Sequence, residues 1–261
     1  MTIDLLTYIP KGVDYPYFRE LLGKYGNLFN QKFLYISEHY TNEITPDIDD
    51  FLISEYQKLG FTYVEPPSLR TADQDWCDFA LKAMLSKSTA DAFLIMHPDF
   101  LVKDFPSLIQ KVKEALEVND LIGYINKAKV LIQPAFFTCK RSSYEKSCKD
   151  FSAREGYDHC DFLTEDMIKR GMMVNPLQVL GLKDKKDFFH IGGVTQGYIW
   201  GLTRDDCRRK MDYVYLYYAL KMNVPMNNVY TDRVTKILAL LKEKFPDINP
   251  ETHWLKEFLC E

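Results

Sequence analysis

No apolar run in this 261-residue chain approaches the length needed to cross a membrane. Its opening, Met-Thr-Ile-Asp-Leu-Leu, has neither the basic flank nor the apolar core of a secretory leader. These two absences lead us to expect a soluble, cytoplasmic protein. Cysteine is present but unpatterned. Cys77, Cys139, Cys148, Cys160, Cys207 and Cys260 contain no Cys-x-x-Cys pair, which argues against a zinc ribbon or a disulfide framework. Positive charge is not in excess either. A formal net charge of -4 gives no global basic field toward nucleic acid or an acidic membrane, and leaves only local patches open. There is no internal repeat and no linker of disordered composition. What the chain does have is apolar and aromatic content, 46% and 14%, enough for a substantial core in one large α/β domain or two small ones.

The stretch from Asp91 to Val102 is the most informative. Residues 92–96 are apolar without alternation, as in a strand covered on both faces of a parallel sheet. Pro98 cannot donate to a ladder, so the strand is expected to end near His97. In open α/β sheets the carboxyl ends of strands face the ligand crevice. An imidazole and a carboxylate, His97 and Asp99, would be delivered there, although both also read as ordinary turn residues.

Strand and helix alternate ahead of this point, the pattern of βαβ units. Strands are expected at 3–9, 32–37 and 61–65, and helices at 15–29 and 46–60. The next helix opens near Thr71 or Asp73 as N-cap and carries Trp76, Phe79, Ala80, Ala83 and Met84 toward the sheet. Beyond the informative stretch, a helix follows Asp104 and runs through 116. Strands are expected at 121–125 and 130–138, the second interrupted by Pro134 as an edge or a bulge. Residues 140–155 read as a charged helix with loops, 161–170 as a helix stopped by Gly171, and 173–179 as a strand. The segment from Phe188 reads as a glycine-rich loop with His190 at its apolar entry. From Arg204 the chain is expected to be helical: a Tyr-rich helix to about 222, another at 231–245, and a short tail around Trp254 and Phe258.

Two further places could carry chemistry. In Tyr157-Asp-His-Cys-Asp161 the last carboxylate falls at a helix N-terminus, where the macrodipole favours the ionised form. The same residue is equally a plain N-cap. In His190-Ile-Gly192-Gly193 the glycines allow backbone to approach a ligand closely, and His190 is a candidate third metal ligand. His97, Asp99 and His190 all lie where strands run out into loops. Two imidazoles and a carboxylate suit a transition metal such as Mn²⁺ better than Ca²⁺.

This order of elements, with Asp75-Trp-Cys-Asp-Phe-Ala-Leu-Lys-Ala-Met-Leu preceding Ala-Phe-Leu-Ile-Met-His-Pro-Asp, resembles a GT-A-type nucleotide-sugar glycosyltransferase over about residues 1 to 200. The resemblance implies a Rossmann-type α/β/α sandwich with a mostly parallel central sheet. It implies a catalytic, donor-binding domain over 1–203, with 204–261 a helical extension packed on it. In that superfamily an Asp-x-Asp-like motif holds a divalent metal that grips the donor diphosphate. Here His97 replaces the first Asp and Asp99 keeps the second. By resemblance, then, Mn²⁺ or Mg²⁺ would sit on His97, Asp99 and His190, with Gly192 and Gly193 beside the diphosphate. Asp161 would be the base that deprotonates the acceptor, with Asp158 as the second choice; Cys160 replaces the acidic residue customary before that base. Thr7, Tyr8, Pro10, Glu38, Asp75 and Asp78 would border the nucleotide.

The expected reaction is transfer of a sugar from a nucleoside diphosphate, UDP first among them, to a hydroxyl of a glycan, a lipid-linked sugar, a protein or a hydroxymethylated DNA base. For DNA the signals are Lys140, Arg141, Lys146 and Lys149, and Arg204, Arg208, Arg209 and Lys210. Two alternatives differ in class. A nucleotidyltransferase would want a glycine-rich loop after the first strand, where Pro10-Lys-Gly-Val-Asp offers one glycine. A non-catalytic binding module would use the stripe Tyr213, Tyr215, Tyr217 and Tyr218 on a partner, although such residues are more often core.

Overall fold

The computed structural model describes residues 1–37, 46–65, 75–126, 131–192 and 208–260. The apolar runs become the middle of a sheet. Four strands, β1 (Ile3–Pro10), β2 (Lys32–Ser37), β3 (Thr62–Tyr63) and β4 (Ala92–Met96), lie parallel in the order β3-β2-β1-β4. Every residue of β1 and β4 is buried, so an unalternating apolar sequence meets cover on both faces. The one carboxylate inside β1, Asp4, accepts hydrogen bonds from Asn30, Gln31, Ser88, Thr89 and Ala90, which satisfies its charge and ties the amino ends of β1, β2 and β4 together.

A short strand, β5 (Phe100–Val102), leaves the sheet after β4, and β6 (Leu121–Asn126), β7 (Leu131–Lys140) and β8 (Val174–Pro176) complete it. The full order is β3-β2-β1-β4-β7-β6-β8, with only β7 running against the rest. This is the expected mostly parallel sheet. The ninth strand, β9 (Phe188–His190), pairs antiparallel with β5 in a separate two-stranded ribbon.

Helices cover both faces. On one side lie α1 (Pro16–Tyr25), α2 (Pro46–Lys58) and α4 (Phe105–Ala115); on the other lie α3 (Trp76–Leu85), the single turn α5 (Arg141–Tyr144) and α6 (Asp161–Lys169). The C-terminal helices α7 (Arg208–Lys221), α8 (Asn228–Lys244) and α9 (Lys256–Leu259) join the first side. Val214, Tyr215, Tyr230, Val234 and Leu255 belong to the same buried cluster as Leu5, Ile9, Phe18 and Phe105. The expected boundary at 203/204 falls outside the described residues. No helix among those described is long and apolar enough to cross a membrane.

Several local expectations are corrected. Within residues 140–155 the helix is a single turn, Arg141–Tyr144, followed by irregular chain in which Lys149 takes the left-handed backbone state at φ 57. Residues 173–179 split into the short β8 and a 3-10 turn, Leu177–Leu180, because Pro176 has no N–H to extend the ladder. Of the two readings of Pro134, edge or bulge, the bulge is what the interior strand β7 has: Gly123 faces Phe137, and the next residue, Tyr124, faces Gln133. The 188–190 segment, read as loop, is strand. The N-cap of α3 is Asp75, whose carboxylate accepts from Cys77 and Asp78 N–H; Thr71 and Asp73 lie outside the described residues.

Candidate active site

The site is assembled at the carboxyl edge of β1 and β4. Leu6 faces Ile95 in parallel register, and two residues on, Tyr8 stands beside His97. The Tyr8 hydroxyl and His97 Nε2 are 2.5 Å apart, a bond that fixes the imidazole plane whichever group donates. The chain then turns tightly. His97 N–H donates to Ala135 C=O in the β7 bulge at 3.1 Å, and His97 C=O accepts from Phe100 N–H at 3.1 Å. The turn aims Asp99 back toward the edge, and β5 leads from it into the ribbon. Because Phe100 pairs with His190 in that ribbon, the second imidazole returns to the same place.

His97, Asp99 and His190 each offer one ligand atom, all within 4.8 Å of one another. His190 Nε2 lies 3.3 Å from Asp99 Oδ1. Ligands about 2.0–2.2 Å from one first-row ion stand roughly 3 Å apart, so the Asp99–His190 pair is already spaced for one ion, with His97 at the longer reach. Burial lowers the His97 pKa from its ordinary 6.5 to about 4. The Asp99 charge opposes this and the His190 charge adds to it. The ring is neutral near pH 7, the protonation state that binds a metal. Two nitrogens and one oxygen fit a divalent ion such as Mn²⁺, or Mg²⁺ with more of its shell from water. Gly192, at φ +67, is in the left-handed backbone region that favours glycine, which lets the chain turn away beside His190.

The opposite wall is the loop into α6. Asp158 is exposed, accepts the His159 N–H at 2.8 Å, and its second oxygen lies 3.4 Å from Gln133 Nε2 in the bulge. The charges of both Asp158 and His159 reach His97. Asp161 is different. It has no exposed surface, and its Oδ2 accepts the Asp158 N–H at 2.8 Å, so it holds the loop that presents Asp158. The third wall is the start of α3. Asp75 caps the helix, receives Ala153 N–H at 3.2 Å and lies 3.5 Å from His159 Nδ1. Asp78 accepts Phe151 N–H at 2.9 Å and pairs with Lys82 at 2.7 Å. Between these walls burial pushes the thiols of Cys77 and Cys160 well above the usual range.

The structure thus brings together Tyr8, His97, Asp99, His190 and Gly192, with Asp158 and Asp75 alongside. Thr7 is buried in the sheet with its hydroxyl toward Met96 C=O at 3.5 Å, and Pro10 is buried at the end of β1. Glu38 and Gly193 lie outside the described residues. His159, Gln133 and Tyr124, whose ring packs 5.4 Å from that of His190, were not singled out from sequence. Of these only His159 had a signal, its place between Asp158 and Cys160. Of the basic residues considered for DNA, Arg141 donates to Ala90 C=O and Ser88 inside the fold, and Lys149 pairs with Glu145. Tyr213, Tyr215 and Tyr218 of the aromatic stripe are buried core.

No family model and no curated protein matches this chain. Among solved structures, it is similar to a mannosyltransferase from Pyrobaculum calidifontis in complex with GDP-Man and Mn²⁺, at 12% identity over 95% of this chain and 75% of that one, TM-score 0.49. It is also similar to a glucosyl-3-phosphoglycerate synthase from Mycobacterium tuberculosis in complex with Mn²⁺ and UDP-Glc, at 13% identity over 67% of this chain and 69% of that one, TM-score 0.48. At this level of similarity no residue role, donor or metal passes from either protein to this chain.

Proposed function

We propose that this chain is a glycosyltransferase moving a sugar from a nucleoside diphosphate, UDP or GDP, to an acceptor hydroxyl, with a divalent ion held by His97, Asp99 and His190. The observation that carries the reading is the placement of that cluster at the carboxyl edge of a parallel sheet, where such folds bind nucleotides. A bound ion would neutralise charge building on the departing diphosphate. The protein's own groups do the rest. Tyr8 orients His97, and Gly192 supplies the left-handed turn after His190. The end of β1 at Tyr8 borders the nucleotide. Asp75 and Asp78 shape the wall at the start of α3. Asp158 takes the acceptor proton, because it is the exposed carboxylate on the wall facing the cluster, while Asp161 anchors its loop.

Calorimetry of UDP and GDP with and without Mn²⁺ tests the site. One nucleotide should bind more tightly with Mn²⁺, and Asp99→Asn should remove that gain. Equal affinity with and without the ion, together with no diphosphate release from any nucleotide-sugar, would sink the proposal.

A further inference from the structure

The β5–β9 ribbon that carries Asp99 and His190 to the site is too small to hold itself. It has two strands of three residues, separate from the main sheet, and isolated two-stranded pairs are marginal in water. Its position must come from what covers its two faces. Side chains alternate along a strand, so Phe188 and His190 share one face of β9 and Phe189 takes the other. The first face packs inward: Phe188 stacks on Phe100 at 5.6 Å, and Tyr124 meets both Phe188 and His190 at 6.1 and 5.4 Å. The second face is covered by the C-terminal tail. Trp254 stands edge-on to Phe189 at 4.9 Å and touches Phe258 at 6.2 Å. Lys103, immediately after β5, lies over the Phe258 ring at 5.0 Å and pairs with Glu257 at 2.6 Å.

The tail is itself fastened. Leu255, Phe258 and Leu259 are buried, and Glu251 accepts from Tyr217, at 2.6 Å, and from Tyr218, at 3.0 Å, both on α7. We propose that this tail, residues 250–259, is the outer support of the ion site: Trp254, through Phe189, is a positioning residue for His190. The inference rests on the reading of His97, Asp99 and His190 as ion ligands. It gives a role to a segment that the GT-A resemblance leaves unexplained. The ion-pair part of the clamp is weak, since Lys103 and Glu257 are solvent-accessible. The aromatic contact therefore carries the effect.

The test measures Mn²⁺ binding directly, by the resonance signal of the free ion, on the full chain and on Trp254→Ala, Trp254→Phe and His190→Ala. Loss of a group hydrogen-bonded directly to a metal ligand typically weakens the site about 10–100-fold, so Trp254→Ala, which acts one residue further out through Phe189, should weaken binding by about 10-fold, the low end of that range. Trp254→Phe, which keeps an aromatic edge on Phe189, should recover most of the loss, and His190→Ala should abolish binding. Because linkage is reciprocal, Mn²⁺ should also slow amide hydrogen exchange over 250–259 in the unaltered chain. That readout decides the matter even where Trp254→Ala does not fold. Wild-type affinity in Trp254→Ala, or unchanged exchange in the tail at saturating Mn²⁺, overturns the positioning role while His190→Ala still loses binding. No Mn²⁺ binding by the unaltered chain, or none lost in His190→Ala, overturns the ligand reading and the inference with it.

Discussion

Asp158 and Asp161 are three residues apart and do different work. Asp161 accepts a backbone N–H and has no exposed surface, so a neutral amide in its place loses a charge-assisted bond inside the protein. Asp158 is exposed beside the cluster, and its carboxylate accepts from the adjacent His159 N–H and from Gln133 at the surface. Asp161→Asn should therefore lower stability by about 1–3 kcal/mol, the usual penalty for a disrupted buried polar group. Asp158→Asn should leave the melting temperature nearly unchanged while reducing turnover by about 10²–10⁴-fold, the contribution of a positioned general base. Thermal unfolding and single-turnover rates on the two variants check this. The reverse pattern, full turnover in Asp158→Asn and none in a stably folded Asp161→Asn, would return the base role to Asp161. From sequence the two could not be separated, because a carboxylate at a helix start has the same signature as a cap or as a base. Only the direction of the Asp161 side chain, back toward the Asp158 N–H, tells them apart.

Among the elements, the β7 bulge connects packing to the site most directly. Its Ala135 carbonyl holds the His97 N–H, and its Gln133 side chain lies beside Asp158. The bulge closes over Gly123, where a Cβ would stand 2.3 Å from Ile132 Cγ2 and 2.4 Å from the Phe136 carbonyl oxygen. A side chain could yield; a backbone carbonyl in the middle of a sheet cannot do so cheaply. Gly123→Ala should cost about 1–3 kcal/mol or more by overpacking, and should weaken Mn²⁺ binding as well, since the same bulge holds the His97 N–H through the Ala135 carbonyl. Denaturant unfolding and an ion titration measure both. Wild-type stability would show that the bulge yields more readily than its backbone contact implies. Elements differ in how far sequence alone reveals them. β2 and β4 stand at their expected bounds because long buried runs carry their own signal. The bulge and the β5–β9 ribbon exist through tertiary contacts, and three-residue strands are too short for a period to register. His190, expected at the entry of a loop, therefore stands at the end of a strand.

At the scale of the whole molecule, one guanidinium joins segments far apart in the chain. Arg19, on α1, makes two hydrogen bonds to Asp14, at 2.7 and 2.9 Å, and reaches Glu55 on α2 at 3.3 Å. It also donates to the carbonyl of Pro225, just ahead of α8, while Tyr230 within α8 donates to the Asp14 carbonyl at 2.7 Å. The Arg19 and Asp14 side chains are only 3% and 1% exposed, so neither charge can turn to water when the other is removed. Arg19→Met keeps the aliphatic volume but strands the Asp14 carboxylate, and breaking such a pair from one side typically costs about 3–5 kcal/mol. If the C-terminal helices share one core with the sheet, as their buried residues indicate, the loss should lower a single cooperative transition. Urea unfolding followed by far-ultraviolet dichroism, with hydrogen exchange over 228–244 as a second probe, distinguishes the outcomes. Coincident transitions at a lower midpoint are expected. An early, separate release of 228–244 with the remainder unshifted would mean that the C-terminal helices form their own folding unit, and that the ion site's outer support is only loosely coupled to the sheet that carries His97.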